Sequence, residues 1–169
     1  MESESTAFLS FPYMRNFFLL IFMILLMAGC SVFRGSSKAT RLQQEKTVDA
    51  IRDIGTAIEA YKLVAGKYPV SSSGHLEKIE NLLVPKYLSA LPEEDGWDNE
   101  IEYYCVQPEG PYYIISVGSD KERDVGLYKS DRLPSGIGFN IITSFKEDII
   151  FSNGEFVRYP EGLNVASSK

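Results

Sequence analysis

Two thiols, one imidazole and a group of phenols are the side chains whose chemistry could extend beyond packing: Cys30 and Cys105, His75, and Tyr103, Tyr104, Tyr112 and Tyr113. A thiol can be acylated, oxidised or activated as a nucleophile, an imidazole can move protons near neutrality, and phenol rings can stack on bases. The two cysteines have the number needed for one disulfide. Cys30, however, closes an apolar segment that points it to another fate, which leaves Cys105 without a partner. His75 follows Gly74 in a polar stretch. A general base needs a positioned partner, so a solvated surface histidine is the stronger reading. There is no Gly-rich phosphate loop, no Cys/His set at metal-ligand spacing and no nucleophile elbow, so no catalytic residue is assigned and an enzyme is not expected. The formal net charge is -6, with 17 Lys and Arg against 23 Asp and Glu and no basic run. That balance removes the phosphate-binding term a nucleic-acid partner would require. The tyrosines then read as packing, because alternation along a strand sends half of them to a core.

Cys30 lies at the end of the N-terminal apolar segment. Residues 1 to 13 are acidic and polar before turning mildly apolar, whereas Met14-Arg15-Asn16 makes a compact basic start, so Met14 is an alternative start of translation. Phe17 to Gly29 is apolar throughout, and its 13 residues fall short of the roughly 20 that a helix needs to cross a hydrocarbon core. The stretch therefore reads as the apolar core of a cleaved export signal. It ends Leu26-Met27-Ala28-Gly29-Cys30, which resembles the lipobox of bacterial lipoproteins, with Met27 where Leu is commoner. Small residues let a peptidase approach the backbone, and the thiol accepts a diacylglyceryl group carrying acyl chains such as palmitate. On this reading residues 1–29 are the signal peptide and 30–39 are a lipidated cysteine with a flexible tether. A globular domain spans 40–163, and 164–169 are a tail. The other reading is a buried cysteine after an ordinary apolar segment.

The chain is long enough, at 169 residues and 44% hydrophobic, for one domain with a real core behind this appendage. From Thr40 to Ala65, Val48, Ile51, Ile54, Ile58, Tyr61 and Ala65 recur at intervals of three or four, the stripe of a helix with one buried face. Thr40 with Gln43 suits a capping box at its start, and Gly66 and Pro69 supply its stop. Ser71 to Gly74 reads as a polar turn. Leu76, Ile79, Leu82 and Leu83 suggest a second helix halted by Pro85. From Ile101 the period changes: IEYYCV and YYIISV, separated by QPEGP, read as two strands, and DIIFS and EFVRY flank Asn153-Gly154, a type I′ hairpin signal. The expected fold is α+β, a long amphipathic helix packed on a small antiparallel sheet.

The order of short motifs then becomes recognisable. Ala57-Ile58-Glu59-Ala60-Tyr61 is followed by Gly66-Lys67-Tyr68-Pro69. Next come Tyr87-Leu88 with Leu91-Pro92, then Asp95-Gly96-Trp97-Asp98-Asn99, then Tyr113 to Asp120. Over roughly residues 47 to 124, with a looser continuation to Gly162, this resembles the globular head of the major pseudopilin family of type II secretion systems. Gly66 and Pro69 are read as structural residues at the helix end, and Trp97 as a ring that plugs the space between helix and sheet. The prepilin-peptidase site that pseudopilins carry at the head of a long apolar helix is missing, and a cleaved lipoprotein signal would remove the segment that polymerises. The resemblance therefore implies the fold first, then the location, then the pathway.

The resemblance also implies Ca²⁺ as a second cofactor beside the covalent lipid on Cys30. Family heads bind it in a loop after the strand. Ser119 to Asp124 begins similarly, so Asp120 and Asp124, completed by Asp148, are the candidate metal ligands, although Lys121, Glu122 and Arg123 replace the family's Gly-rich continuation. Solvated carboxylates paired with Lys121 and Arg123 are the alternative. The expected protein is a non-catalytic, membrane-tethered interaction domain linked to type II secretion or pilus-like machinery. It would be lipid-anchored in the bacterial cell envelope with its domain in the periplasm or outside the cytoplasmic membrane. Its expected partners are the lipid bilayer and proteins of the machinery, with no nucleic acid. Ser31 after the cysteine suggests outer-membrane delivery in a two-membrane bacterium. One alternative is an envelope lipoprotein binding peptide or glycan at an exposed sheet edge. Another is a signal-anchored inner-membrane protein, and an envelope hydrolase has the least support.

Overall fold

The computed structural model describes residues 12–128, 134 and 138–163, with side-chain environments from Lys38 onward. The chain divides by its contacts into two units, residues 1–39 and 40–169. A single helix, α1 (Pro12–Ala65), runs through both. Ser31 to Ala39, expected as a flexible tether, is therefore helical. The sequence gives a reason: Gly29 and Gly35 each weaken a helix by about 1 kcal/mol, but no proline interrupts the chain between Tyr13 and Ala65. Cys30 falls in this stretch, and its side chain lies outside the described residues. Among the described residues, no helix is long and apolar enough to cross a membrane.

In the second unit the expected stripe packs as a stripe. Val48, Ile51, Ile54, Ala57 and Ile58 are buried, Tyr61 is partly buried, and Ala65 is exposed. Helix α1 ends where Gly66 adopts φ 73°, the left-handed conformation that most side chains resist, and the Gly66 N–H donates to Lys62 O at 2.8 Å. Gly55 lets the helix approach the sheet: a Cβ there would lie 2.4 Å from the Phe151 ring.

The remaining elements are β1 (Ser71–His75), a 3₁₀ turn (Leu76–Ile79), α2 (Glu80–Leu83), β2 (Glu102–Cys105), β3 (Tyr112–Ser116), β4 (Asn140–Ile142), β5 (Ile149–Ser152) and β6 (Glu155–Pro160). They form a six-stranded sheet in the order β1-β2-β3-β5-β6-β4. All neighbours are antiparallel except β4 and β6, which run parallel, so the expected antiparallel sheet is a mixed one. Two of its strands were not expected. Ser71 to Gly74 is part of edge strand β1 instead of a turn, and β4 is an edge strand of only three residues. The second helix is shorter than expected, because the 3₁₀ turn gives way to one α-helical turn. Leu76, Ile79 and Leu83 are nevertheless buried, and Leu82 is exposed. The β5–β6 connection is the Asn153-Gly154 turn, with φ of 50° and 87° as a type I′ turn requires.

The sheet buries both faces. Tyr103, Cys105, Tyr112, Ile114, Ile149 and Phe151 join the helix in one apolar cluster. Tyr104, Ile115 and Ile150 form a second cluster, with Tyr113, Leu127, Tyr128 and Val157 packed against it. Alternation along β2, β3 and β5 thus sends successive residues to two cores, which is why all four candidate tyrosines are at least partly buried. Ile58→Ala, at a side chain with no exposure, is expected to destabilise the protein by about 2–5 kcal/mol in urea denaturation of the full chain. A change within about 0.5 kcal/mol would mean that this face of α1 is not core.

Candidate functional site

The polar residues that organise this domain gather at three places. The first is the loop between α2 and β2. Asp95 is completely buried, and its carboxylate accepts four hydrogen bonds. Oδ1 takes the Trp97 N–H at 2.8 Å and the Asn99 N–H at 3.0 Å, while Oδ2 takes Asn99 Nδ2 at 3.0 Å and Ser116 Oγ at 2.6 Å. Asn99 Nδ2 also reaches Gly118 O at 2.8 Å, and the Gly96 N–H donates to Thr47 Oγ1 at 2.8 Å. Thr47 in turn donates to Gln43 O within α1. Gly96 is required by contact, since a Cβ there would stand 1.9 Å from Gln43 O. One carboxylate and its short loop therefore tie α1, the loop itself and the end of β3 together. Trp97 is buried, but neither apolar cluster includes it, and its indole Nε1 has no hydrogen-bond partner. The loop is fixed by Asp95 more than by the ring.

The second place explains the Gly66-Lys67-Tyr68-Pro69 motif. Tyr68 OH donates to Glu59 Oε1 at 3.2 Å and accepts from Lys62 Nζ at 2.8 Å, and Lys62 also lies 4.0 Å over the Tyr68 ring. Tyr112 OH donates to the same Glu59 oxygen at 2.8 Å and accepts the Gly154 N–H at 3.1 Å. Pro69 O accepts Tyr103 OH at 2.7 Å. Burial pushes the Tyr103 and Tyr112 phenols far above their ordinary pKa, so they stay protonated donors.

The third place holds the candidate metal ligands. Asp124 and Asp148 are brought together: the Asp124 N–H donates to Asp148 Oδ2 at 3.2 Å, and the Asp148 N–H donates to Asp124 Oδ2 at 3.0 Å. Arg158 Nη1 donates to Asp124 Oδ2 at 2.8 Å, Arg158 Nη2 to Glu147 Oε2 at 3.3 Å, and Tyr128 OH to Asp148 Oδ2. Asp120 is exposed and turns its Oδ1 back to the Glu122 N–H at 3.2 Å. A calcium site wants six to eight oxygens converging on one point. Here Oδ2 of Asp124 and Oδ2 of Asp148 are committed to N–H and O–H donors, and among the described residues no group of three His, Cys, Asp or Glu could hold a metal ion. Of the expected ligands Asp120, Asp124 and Asp148, the structure brings Asp124 and Asp148 into contact, and it pairs Asp124 with Arg158, a residue with no part in the sequence expectation. Arg123, expected beside the loop acids, instead pairs with Glu102 and stacks on the Tyr128 and Tyr104 rings at 4.7 and 5.6 Å.

Neither His75 nor Cys105 is placed for catalysis. His75 Nδ1 meets Glu100 Oε1 at 2.7 Å on the surface. Cys105 is a buried free thiol, raised above its ordinary pKa by burial and donating to Gln107 O at 3.0 Å, the reverse of a nucleophile's environment. An open groove of about 240 Å³ lies between Arg41, Gln44, Glu45 and Val48 of α1 and Ile142, Phe145, Glu161 and Leu163, and its acid–base pair, Arg41 with Glu45 at 3.3 Å, is exposed.

The geometry is that of a helix-on-sheet head whose polar residues brace loops. The family model for type II secretion system (T2SS), protein G matches residues 34–131, and the chain belongs to that family. A comparison with curated proteins found no match. The matched stretch starts beyond Cys30 and takes in α1 from Arg34, the Asp95 loop and the β2–β3 hairpin. The chain is accordingly linked to secretion machinery of the cell envelope.

Two outcomes are expected from these contacts. Asp95→Ala strands four buried donors at about 1–3 kcal/mol each, so it is expected to cost at least about 3 kcal/mol in urea denaturation. A loss under about 1 kcal/mol would remove Asp95 from its bracing role. Asp148 gives a pH signature. Burial, opposed by the hydrogen bonds from Tyr128 and the Asp124 N–H, raises its carboxyl to about 6. An unfolded aspartate titrates near 3.9, so the folded state binds this proton more tightly; the associated stability is full below about pH 4 and is lost as pH rises through about 6. The stability of the wild-type chain minus that of Asp148→Asn is therefore expected to fall between pH 4 and 7, and a flat difference would contradict the assignment.

Proposed function

We propose that the chain is a non-catalytic head domain that works with protein partners of the secretion machinery while tethered to a membrane through a diacylated Cys30. The reading is carried by one combination: a head of the type II secretion protein G family stands behind an apolar segment that ends Ala28-Gly29-Cys30. Such an anchor needs no polymerising helix, which agrees with the missing prepilin-peptidase motif. A single acylated site binds a bilayer durably when it carries two chains, as a diacylglyceryl group does. The non-catalytic role is supported by the assignments of the titratable groups, since Glu59, Asp95, Asp124, Asp148 and Arg158 each brace backbone or side chains of the fold. The domain would stand outside the cytoplasmic membrane.

A second reading is favoured by a separate observation. Helix α1 continues without a break from Pro12 to Ala65, as it would if the apolar segment stayed attached and served as a signal anchor in the inner membrane. One experiment separates the two. Intact mass of the membrane-extracted protein is expected to show loss of everything before Cys30 with a diacylglyceryl adduct, and Cys30→Ala is expected to block both changes. A full-length, unmodified, membrane-inserted product would replace the lipid tether with the signal anchor.

A further inference from the structure

The loop that follows β3 folds over the outer face of the sheet, where Leu127 and Tyr128 cover Tyr104, Ile115 and Ile150. What holds it there is charge. Asp124 stands on the loop, Glu147 and Asp148 immediately before β5, and Arg158 on β6, a strand flanked by both β5 and β4. The Arg158 side chain is only 5% exposed, against 29% for each of its partners Asp124 and Glu147. Its fork spans two acids, Nη1 to Asp124 and Nη2 to Glu147. Without it, three carboxylates would crowd the seam between the loop and the start of β5.

We propose that Arg158 is the resident cation of this seam: its guanidinium occupies the position a divalent ion would fill and holds the 118–128 segment on the sheet independently of calcium. Three observations carry the inference. The cation comes from a strand fixed on both sides, so its position is set before the loop closes. Asp124 and Asp148 hold each other's backbone N–H groups, which commits Oδ2 of each carboxylate to the protein's own donors. The unmet hydrogen-bonding capacity is of both kinds around Asp124, since Asp148 Oδ1 and Arg158 Nε are each buried without a partner and Asp124 bonds to both residues. An acceptor alone would suit a metal ion. An acceptor and an N–H donor in the same cluster do not, and a second positive ion a few ångströms from a buried guanidinium would be strongly repelled.

Thermal denaturation and limited trypsin digestion of the full chain in detergent, each with millimolar Ca²⁺ or with EGTA, test the proposal. The wild-type Tm is expected to differ by less than about 1 °C between the two conditions, whereas occupancy of a real site at a hundred times Kd would raise it by several degrees. Cleavage after Lys121 and Arg123 is expected to be equally slow in both. Arg158→Met is expected to lower Tm by at least about 5 °C and to speed that cleavage. A wild-type Tm that climbs by several degrees with Ca²⁺, or an Arg158→Met variant with wild-type Tm and protection, overturns the proposal. If Arg158→Met does not fold, Asp124→Asn keeps the guanidinium and serves in its place. It is expected to melt lower than wild type and to remain indifferent to Ca²⁺, and a calcium response in either protein overturns the proposal.

Discussion

A buried carboxylate without a buried cation beside it is a severe constraint, because every one of its lone pairs must find a donor or the fold bears the desolvation cost. Asp95 meets that constraint with the Trp97 and Asn99 backbone N–H groups, the Asn99 amide and the Ser116 hydroxyl. The donors come from its own loop and from β3, and the neighbouring Gly96 hooks onto Thr47 of α1. The satisfaction of one charge thus fixes the distance between helix and sheet at the end opposite Gly66. Apolar packing of Ile51, Ile54 and Ile58 supplies most of the burial, but such contacts are non-directional. The Asp95 loop supplies the direction.

The same logic governs the far face of the sheet. A strand set buried on both sides needs a cover, and here the cover is a loop with few apolar residues of its own, so it is held by ions and rings: Arg123 on Tyr104 and Tyr128, Tyr128 on Asp148, and Arg158 on Asp124. The head that results commits Asp95, Asp124, Asp148 and Arg158 to holding its own loops. Phe139 and Ile141 are exposed at the sheet edge formed by β4.

Much of this was legible in the residues before any coordinates. The helix stripe reads directly because a 3.6-residue period survives over five turns, and Asn153-Gly154 reads because few other pairs accept positive φ twice in succession. The Gly66-Lys67-Tyr68-Pro69 motif is visible as a unit, although its reason, the shared Glu59 oxygen, is not. Strand β1 was missed because Ser71-Ser72-Ser73-Gly74 carries no apolar alternation and owes its conformation to pairing with β2. Strand β4 was missed because three residues hold no period. The Asp95 and Arg158 networks were hidden for another reason. Ser116 lies 21 residues from Asp95, and Asp124 lies 34 from Arg158, so nothing in local sequence announces either bond. A resemblance implies cation ligands at Asp120, Asp124 and Asp148, and only the distant strand residue shows what Asp124 faces.

The claim that one buried carboxylate welds helix, loop and sheet into a single cooperative unit is tested most directly by native-state amide hydrogen exchange. The Gly96, Trp97 and Asn99 N–H groups are the donors to watch, with the β3 amides as the internal standard. If the account holds, these three exchange only through global opening, with the same free energy and the same denaturant dependence as Ile114 and Ile115. Fast exchange of the loop donors through a local opening that leaves β3 protected would contradict it.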